Sequence, residues 1–97
     1  MKSVTFRAAA LRDIEEAFEW YEYLRAGLGE ELLDEIRVAV SLVVEHPRAY
    51  PVLRPQTRRA LLKKFPYGLF YQIHGDQITV LACMHTRRSP RRWYSRS

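Results

Sequence analysis

Ninety-seven residues, 47% hydrophobic and 28% charged, are enough for one modest core, which excludes a second domain and argues against disorder. The single cysteine, Cys83, excludes an internal disulfide, no Cys/His spacing suits zinc, and no apolar stretch is long enough to span a bilayer. The net charge of +5 is unevenly placed: residues 1–49 hold six Lys/Arg and ten Asp/Glu, whereas residues 50–97 hold ten Lys/Arg and only Asp76. Such a chain presents an acidic and a basic surface, and the basic one attracts polyanions or an acidic partner segment. No apolar run follows Met1-Lys2, so no secretory signal is expected and the cytoplasm is the expected location.

In chain order, Ser3 to Arg7 alternates polar and apolar residues and predicts a short strand. From about Ala9 to Arg25 the period becomes helical, with Leu11, Ile14, Phe18 and Tyr21 on one face among flanking acids. Gly27 and Gly29 bracket Leu28 and permit a tight turn. A second helix is predicted over about 30–46, with Leu32 or Leu33, Ile36, Val40 and Val43 forming its stripe and Pro47 stopping it. The stretch from Pro47 to Pro55 holds three prolines and predicts an irregular crossing.

Beyond it the period becomes two. Strands are predicted over 59–64, 69–74 and 77–85, the last two joined by Gly75-Asp76, which suits a type I′ or II′ hairpin. The expected fold is α+β: a short N-terminal strand, an antiparallel two-helix hairpin, and a three-stranded antiparallel meander, all in one domain over residues 1–97. A basic segment, 86–97, closes the chain.

Two features carry charge in a pattern that suits binding. Arg54, Arg58, Arg59, Lys63 and Lys64 lie together with no acid among them, and a strand would set Arg59 and Lys63 on one face. Such a row can contact phosphates, and equally can protect a sheet edge from aggregation. The tail adds Arg87, Arg88, Arg91 and Arg92 beside Trp93 and Tyr94, where guanidinium forks could meet phosphate and a ring could stack on a base. Trp93 also favours docking of the tail on the body. His85, closing the last strand near this cluster, is the one histidine placed to move protons, although a lone strand-end histidine is more often structural. Tyr21, Tyr23, Tyr67, Tyr71 and Trp20 read as packing residues. No phosphate-cradling loop, nucleophile elbow or metal signature is present in the sequence, and no cofactor is expected.

The order and spacing of several segments resemble a known family. Ala10 to Ile14 opens the first helix and Gly29 to Leu32 the second; Glu45-His46-Pro47 and Tyr50-Pro51 follow, then Arg58 to Tyr67, Leu69 to Tyr71, Val80 to His85, and Arg88 to Trp93. Together they resemble the RelE/ParE superfamily of toxins from type II toxin–antitoxin modules, often labelled plasmid stabilisation proteins. The resemblance implies a small toxin neutralised by a cognate antitoxin from a neighbouring gene. The long apolar helix faces would suit a homodimer or a toxin–antitoxin heterotetramer, and the short apolar runs give no reason to expect a membrane partner.

It also implies one of two activities. RelE-like members cleave messenger RNA on the ribosome with sheet lysines and arginines and a C-terminal aromatic or histidine. ParE-like members poison DNA gyrase without cutting. Set on that pattern, Arg59 falls at one lysine position, while Leu61, read as buried, falls at the other. Gly68 stands in place of an arginine, and Arg87 and Trp93 roughly match the tail arginine and tyrosine. The target-binding candidates are therefore Arg58, Arg59, Lys63, Lys64, Arg87, Arg88, Arg91, Arg92 and Trp93. Arg59, Lys63, His85, Arg87 and Arg91 are the set a ribonuclease would use. The incomplete set favours growth inhibition by ParE-like binding of gyrase, over a ribosome-dependent endoribonuclease or a non-toxic nucleic-acid-binding domain.

Overall fold

The computed structural model describes residues 3–87. Strand β1 (Ser3–Phe6) leads into helices α1 (Ala8–Leu24) and α2 (Leu28–Glu45). Strands β2 (Val52–Arg54), β3 (Thr57–Leu61), β4 (Tyr67–His74) and β5 (Gln77–His85) follow. The five strands form one mixed sheet in the order β1-β5-β4-β3-β2. The expected antiparallel meander is present as β3-β4-β5, but it is extended at both edges. At one edge β1 lies parallel to β5, from Ser3 opposite Gln77 to Phe6 opposite Val80. At the other, β2 pairs antiparallel with β3 inside the stretch expected to be irregular. Pro51 and Pro55 bound that strand, and a residue without an N–H is tolerated there because it is an edge.

Strand β3 stops at Leu61, three residues before the expected end. Glu35 of α2 explains the break: its Oε1 accepts the backbone N–H groups of Lys63 and Lys64 at 2.7 and 2.8 Å. The chain there turns toward the helix instead of continuing the ladder, so Lys63 does not extend the row begun by Arg59. At the β4–β5 turn only Gly75 has a positive φ, +61°, which is the type II′ pattern.

Both helices pack on one face of the sheet. In α2, Leu32, Ile36, Ala39 and Val43 are buried at steps of three and four, as the period requires. In α1 the innermost residues are Ala10 and Ala17, with Ile14 and Tyr21 partly buried beside them, while Leu11 is 54% exposed. The apolar stripe is thus rotated from the expected one, and small side chains let this helix approach the sheet closely.

The helices approach each other closely at Gly29, which lies inside α2 and not in the turn. A Cβ there would stand 2.8 Å from Phe18 Cδ1, 2.9 Å from Glu22 Cγ and 2.9 Å from the Phe18 carbonyl oxygen. Glu22 completes the junction, its Oε1 accepting the N–H groups of Gly27 and Gly29 at 2.9 Å each. Because a backbone atom is among the obstacles, Gly29→Ala is expected to destabilise the fold by roughly 1–3 kcal/mol, despite alanine's higher helix propensity. Urea denaturation would show a lower midpoint; an unchanged or higher midpoint would contradict the packing.

The connection from α2 to β2 is pinned from the sheet. Tyr71, fully buried in β4, donates its hydroxyl to the Pro47 carbonyl at 2.7 Å. Arg58 Nη1 donates to the carbonyls of Arg48 and Tyr50 at 3.0 and 2.7 Å. This guanidinium is engaged in holding a loop.

Candidate functional site

Cross-strand register decides which predicted residues can work together. Tyr67 is level with His85, and Leu69 with Ala60 and Cys83; Leu69, Ala60 and Cys83 belong to the core cluster that includes both helices, and Tyr67 packs against it. Between these rows lie Leu61–Gly68–Met84 and, beyond, Arg59–Phe70–Ala82, which face away from the helices. Arg59 and His85 therefore occupy opposite sides of the sheet.

On the outward side, the stem of Arg59 lies across Gly68. A Cβ on that glycine would stand 3.1 Å from Arg59 Cγ, 3.2 Å from its Cδ and 3.5 Å from Leu61 Cδ2. The missing side chain at 68 is the groove in which this arginine runs. Arg59 Nε is buried without a hydrogen-bond partner. Leu61, expected to be buried, is 53% exposed, because its row faces outward at the end of β3. Arg59 and Leu61 thus flank Gly68 on the outward face. Lys63 and Lys64 are exposed in the adjoining loop.

On the helix side, His85 lies edge-on to Tyr67, ring centroids 5.4 Å apart, and its Nδ1 accepts the Arg87 N–H at 3.1 Å. Tyr21 packs on Tyr67 and Phe65, centroids 6.0 and 4.9 Å away. Arg87 is exposed. Arg88, Arg91, Arg92 and Trp93 lie outside the described residues.

Asp13 is a site residue that the sequence pattern hides, since it sits among the flanking acids of α1. Strand β1 pairs with β5 only as far as Val80, whose carbonyl accepts the Arg7 N–H at 3.0 Å. Beyond that point Asp13 Oδ2 accepts the Cys83 N–H at 3.0 Å and satisfies the edge that β1 leaves open. Burial, reinforced by the Asp13 carboxylate, pushes the Cys83 thiol up to about 12. It stays protonated at neutral pH and offers no nucleophile. Next to this contact an open groove of about 460 Å³ runs between α1 and the end of β5, lined by Arg12, Asp13, Glu16, Trp20, Tyr67 and His85 among others. Trp20 is 56% exposed there. Neither Asp13 nor Glu35 carries a sequence signal that distinguishes it from its acidic neighbours. Among the described residues no cluster of His, Cys, Asp and Glu is placed to hold a metal ion, and no helix is long and apolar enough to cross a membrane.

A helix hairpin on one face of a mixed five-stranded sheet in this order is the architecture of the RelE/ParE toxins. The chain superposes on a protein of the chromosomal ParDE toxin–antitoxin system from P. aeruginosa with a TM-score of 0.66 and 20% identity, covering 88% of this chain and 96% of that one. It superposes on the isolated E. coli RelE toxin with a TM-score of 0.68 and 19% identity, covering 98% and 95% respectively. No curated protein matches the chain in sequence. A family model described as "ParE toxin of type II toxin-antitoxin system, parDE" matches residues 4–90, and the chain belongs to that family. Membership implies an antitoxin as its partner.

Proposed function

We propose that this ParE-family toxin arrests growth by binding a nucleic-acid machine, DNA gyrase, without cutting nucleic acid itself, and that a cognate antitoxin neutralises it. One observation carries the reading: Arg59 and His85, the cation and the proton carrier of the alternative ribonuclease, face opposite sides of the sheet. Cleaving a phosphodiester needs a proton donor or acceptor within hydrogen-bond reach and cations converging on the same oxygens. The residues placed beside Arg59 on this face include Gly68, Leu61 and Phe70, none of which can move a proton. What the outward face and adjoining loop do offer is exposed charge and an apolar side chain, the ingredients of a docking surface.

The purified protein is expected to inhibit gyrase supercoiling near stoichiometric amounts. Arg59→Ala should weaken that inhibition by at least about tenfold, the loss of one desolvated charged contact. Transcripts from expressing cells should remain intact when mapped by primer extension. Gyrase unaffected at large molar excess, together with codon-defined cuts, would favour ribosome-dependent cleavage instead.

A further inference from the structure

We propose that Glu35 is the positioning residue of the docking surface: from α2 it holds the turn at Lys63 and Lys64 in place and leaves both ammonium groups free for an anionic target surface. This role rests on the binding reading above and adds to it a residue of the helix layer, outside the basic runs themselves.

The turn is built from both ends. Leu62 and Phe65 are only 8% and 6% exposed, and burying these two side chains forces the lysines between them into solvent. The Leu62 N–H donates to the Tyr67 carbonyl at 2.9 Å and the Tyr67 N–H to the Phe65 carbonyl at 2.8 Å, which closes the turn at its base. At its tip the successive N–H groups of Lys63 and Lys64 converge on one oxygen, Glu35 Oε1. Converging backbone N–H groups form an anion-binding concavity, and here a carboxylate from another layer fills it. Glu35 is itself fixed, because it flanks Leu32, Ile36 and Ala39 of the buried α2 stripe and so stands on a rigid element.

An acid beside two lysines ordinarily neutralises them. The ion pairs among the described residues are Arg25–Glu31, Arg37–Asp34 and His46–Glu45, and none involves Lys63 or Lys64. Glu35 Oε1 takes backbone hydrogens instead, so the turn is ordered while its charge stays exposed. The turn follows Leu61 and leads into Gly68, which pair across β3 and β4, so the lysines stand at the rim of the outward face. Without the Glu35 acceptor the two N–H groups turn to water, and β3, which ends at Leu61, does not carry the tip. Each contact the lysines make with a target then includes the entropy of fixing them.

The test sets two effects of one substitution against each other. Removing Glu35 makes the protein more basic by one charge, which by itself tightens binding to a polyanion, whereas loss of the positioned turn weakens it. The probe is fluorescein-labelled heparin, titrated at low salt with the full-length protein and followed by anisotropy. Lys63→Ala/Lys64→Ala should weaken binding at least about fivefold, through loss of two cationic contacts. Glu35→Ala should weaken it at least about twofold in spite of the gained charge. Glu35→Gln keeps an oxygen acceptor at the same reach and should bind as tightly as the unsubstituted protein or more so. With both lysines already removed, Glu35→Ala should no longer weaken binding. Should Glu35→Ala fail to fold, Glu35→Asp, which keeps the charge and shortens the reach, takes its place and should also weaken binding. Tighter or unchanged binding by a folded Glu35→Ala would overturn the proposal, as would a loss of the same size in the protein without the lysines. So would lysine removal that leaves binding unchanged, or Glu35→Gln weakening it as much as Glu35→Ala. Gyrase inhibition is measured separately on the same proteins: uninhibited gyrase with this order of heparin affinities sinks only the gyrase reading, and the reverse result sinks only the role of Glu35.

Discussion

Leu32→Ala is expected to cost about 3 kcal/mol and to lower the melting temperature by roughly 15 °C, whereas Leu33→Ala should cost less than about 1 kcal/mol. The neighbours differ by one helical step. Leu32 is fully buried between α2 and the sheet, in the cluster with Ile36, Leu69 and Val80, while Leu33 is only partly covered. Truncation at 32 removes the transfer energy of the side chain and leaves a cavity that the sheet cannot close, because Leu69 and Tyr71 are themselves fixed by strand pairing. For a domain this small, whose whole stability is about 5–15 kcal/mol, that is a large share. Comparable melting losses for the two variants would mean that α2 is rotated from the position described.

Stability is expected to fall steeply in alkali, beginning near pH 9 and nearing completion by about pH 12. Cys83 and Tyr71 set this window. In the unfolded chain the thiol loses its proton around its ordinary value of 9.0, while burial and then Asp13 push the native thiol up to about 12. The Tyr71 phenol behaves alike. Its ordinary value is 10.0, and in the fold burial pushes it up to about 12 against the opposing pull of Arg58. Between those values the unfolded state binds fewer protons than the native one, so each rise in pH favours unfolding; the slope fades only well below 9.0, where both groups are protonated in both states. Cys83→Ala should move the onset of the loss toward pH 10.0, the range of the remaining phenol. Tyr71→Phe should flatten the upper part, at a neutral-pH cost of about 1 kcal/mol for the lost bond to the Pro47 carbonyl. Urea midpoints measured across this range check both, and a flat profile up to pH 12 would contradict the burial of the two groups.

Local patterns in the chain translated well wherever packing follows side-chain size. The Gly75-Asp76 turn and the limits of β5 are found where period and turn chemistry put them, as is the α2 stripe except that Ala39 takes the innermost place expected of Val40. Helix α1 shows why such reading has a limit. Its contact line runs through Ala10 and Ala17, which add almost nothing to an apolar periodicity, so the larger Leu11 draws the eye to the wrong side. The parallel partner of β1 lies more than seventy residues away and is announced by no turn. Three residues between prolines, as in β2, carry too little pattern to read as a strand.

At the candidate site the individual cations were legible but their grouping was not. Whether Arg59 and His85 share a face depends on two registers carried through β4, Arg59 opposite Phe70 on one side and His85 opposite Tyr67 on the other. The role of Arg58 as a loop clamp and the end of β3 at Glu35 depend on contacts with the α2–β2 connection and with α2, which no local spacing encodes.

The seam between β1 and β5 also orders events during synthesis. The strand that leaves the ribosome first must wait, unpaired, until Gln77 to Val80 have been made, since these are the residues it lies against. The helices can form early, but the structure closes only when translation is nearly finished. A product that ends before Gln77 therefore lacks β5, the strand that joins β1 to the rest of the sheet, and is expected to be protease-sensitive. For a member of a toxin family, the fold on which any activity depends is thus complete only once β5 has been made.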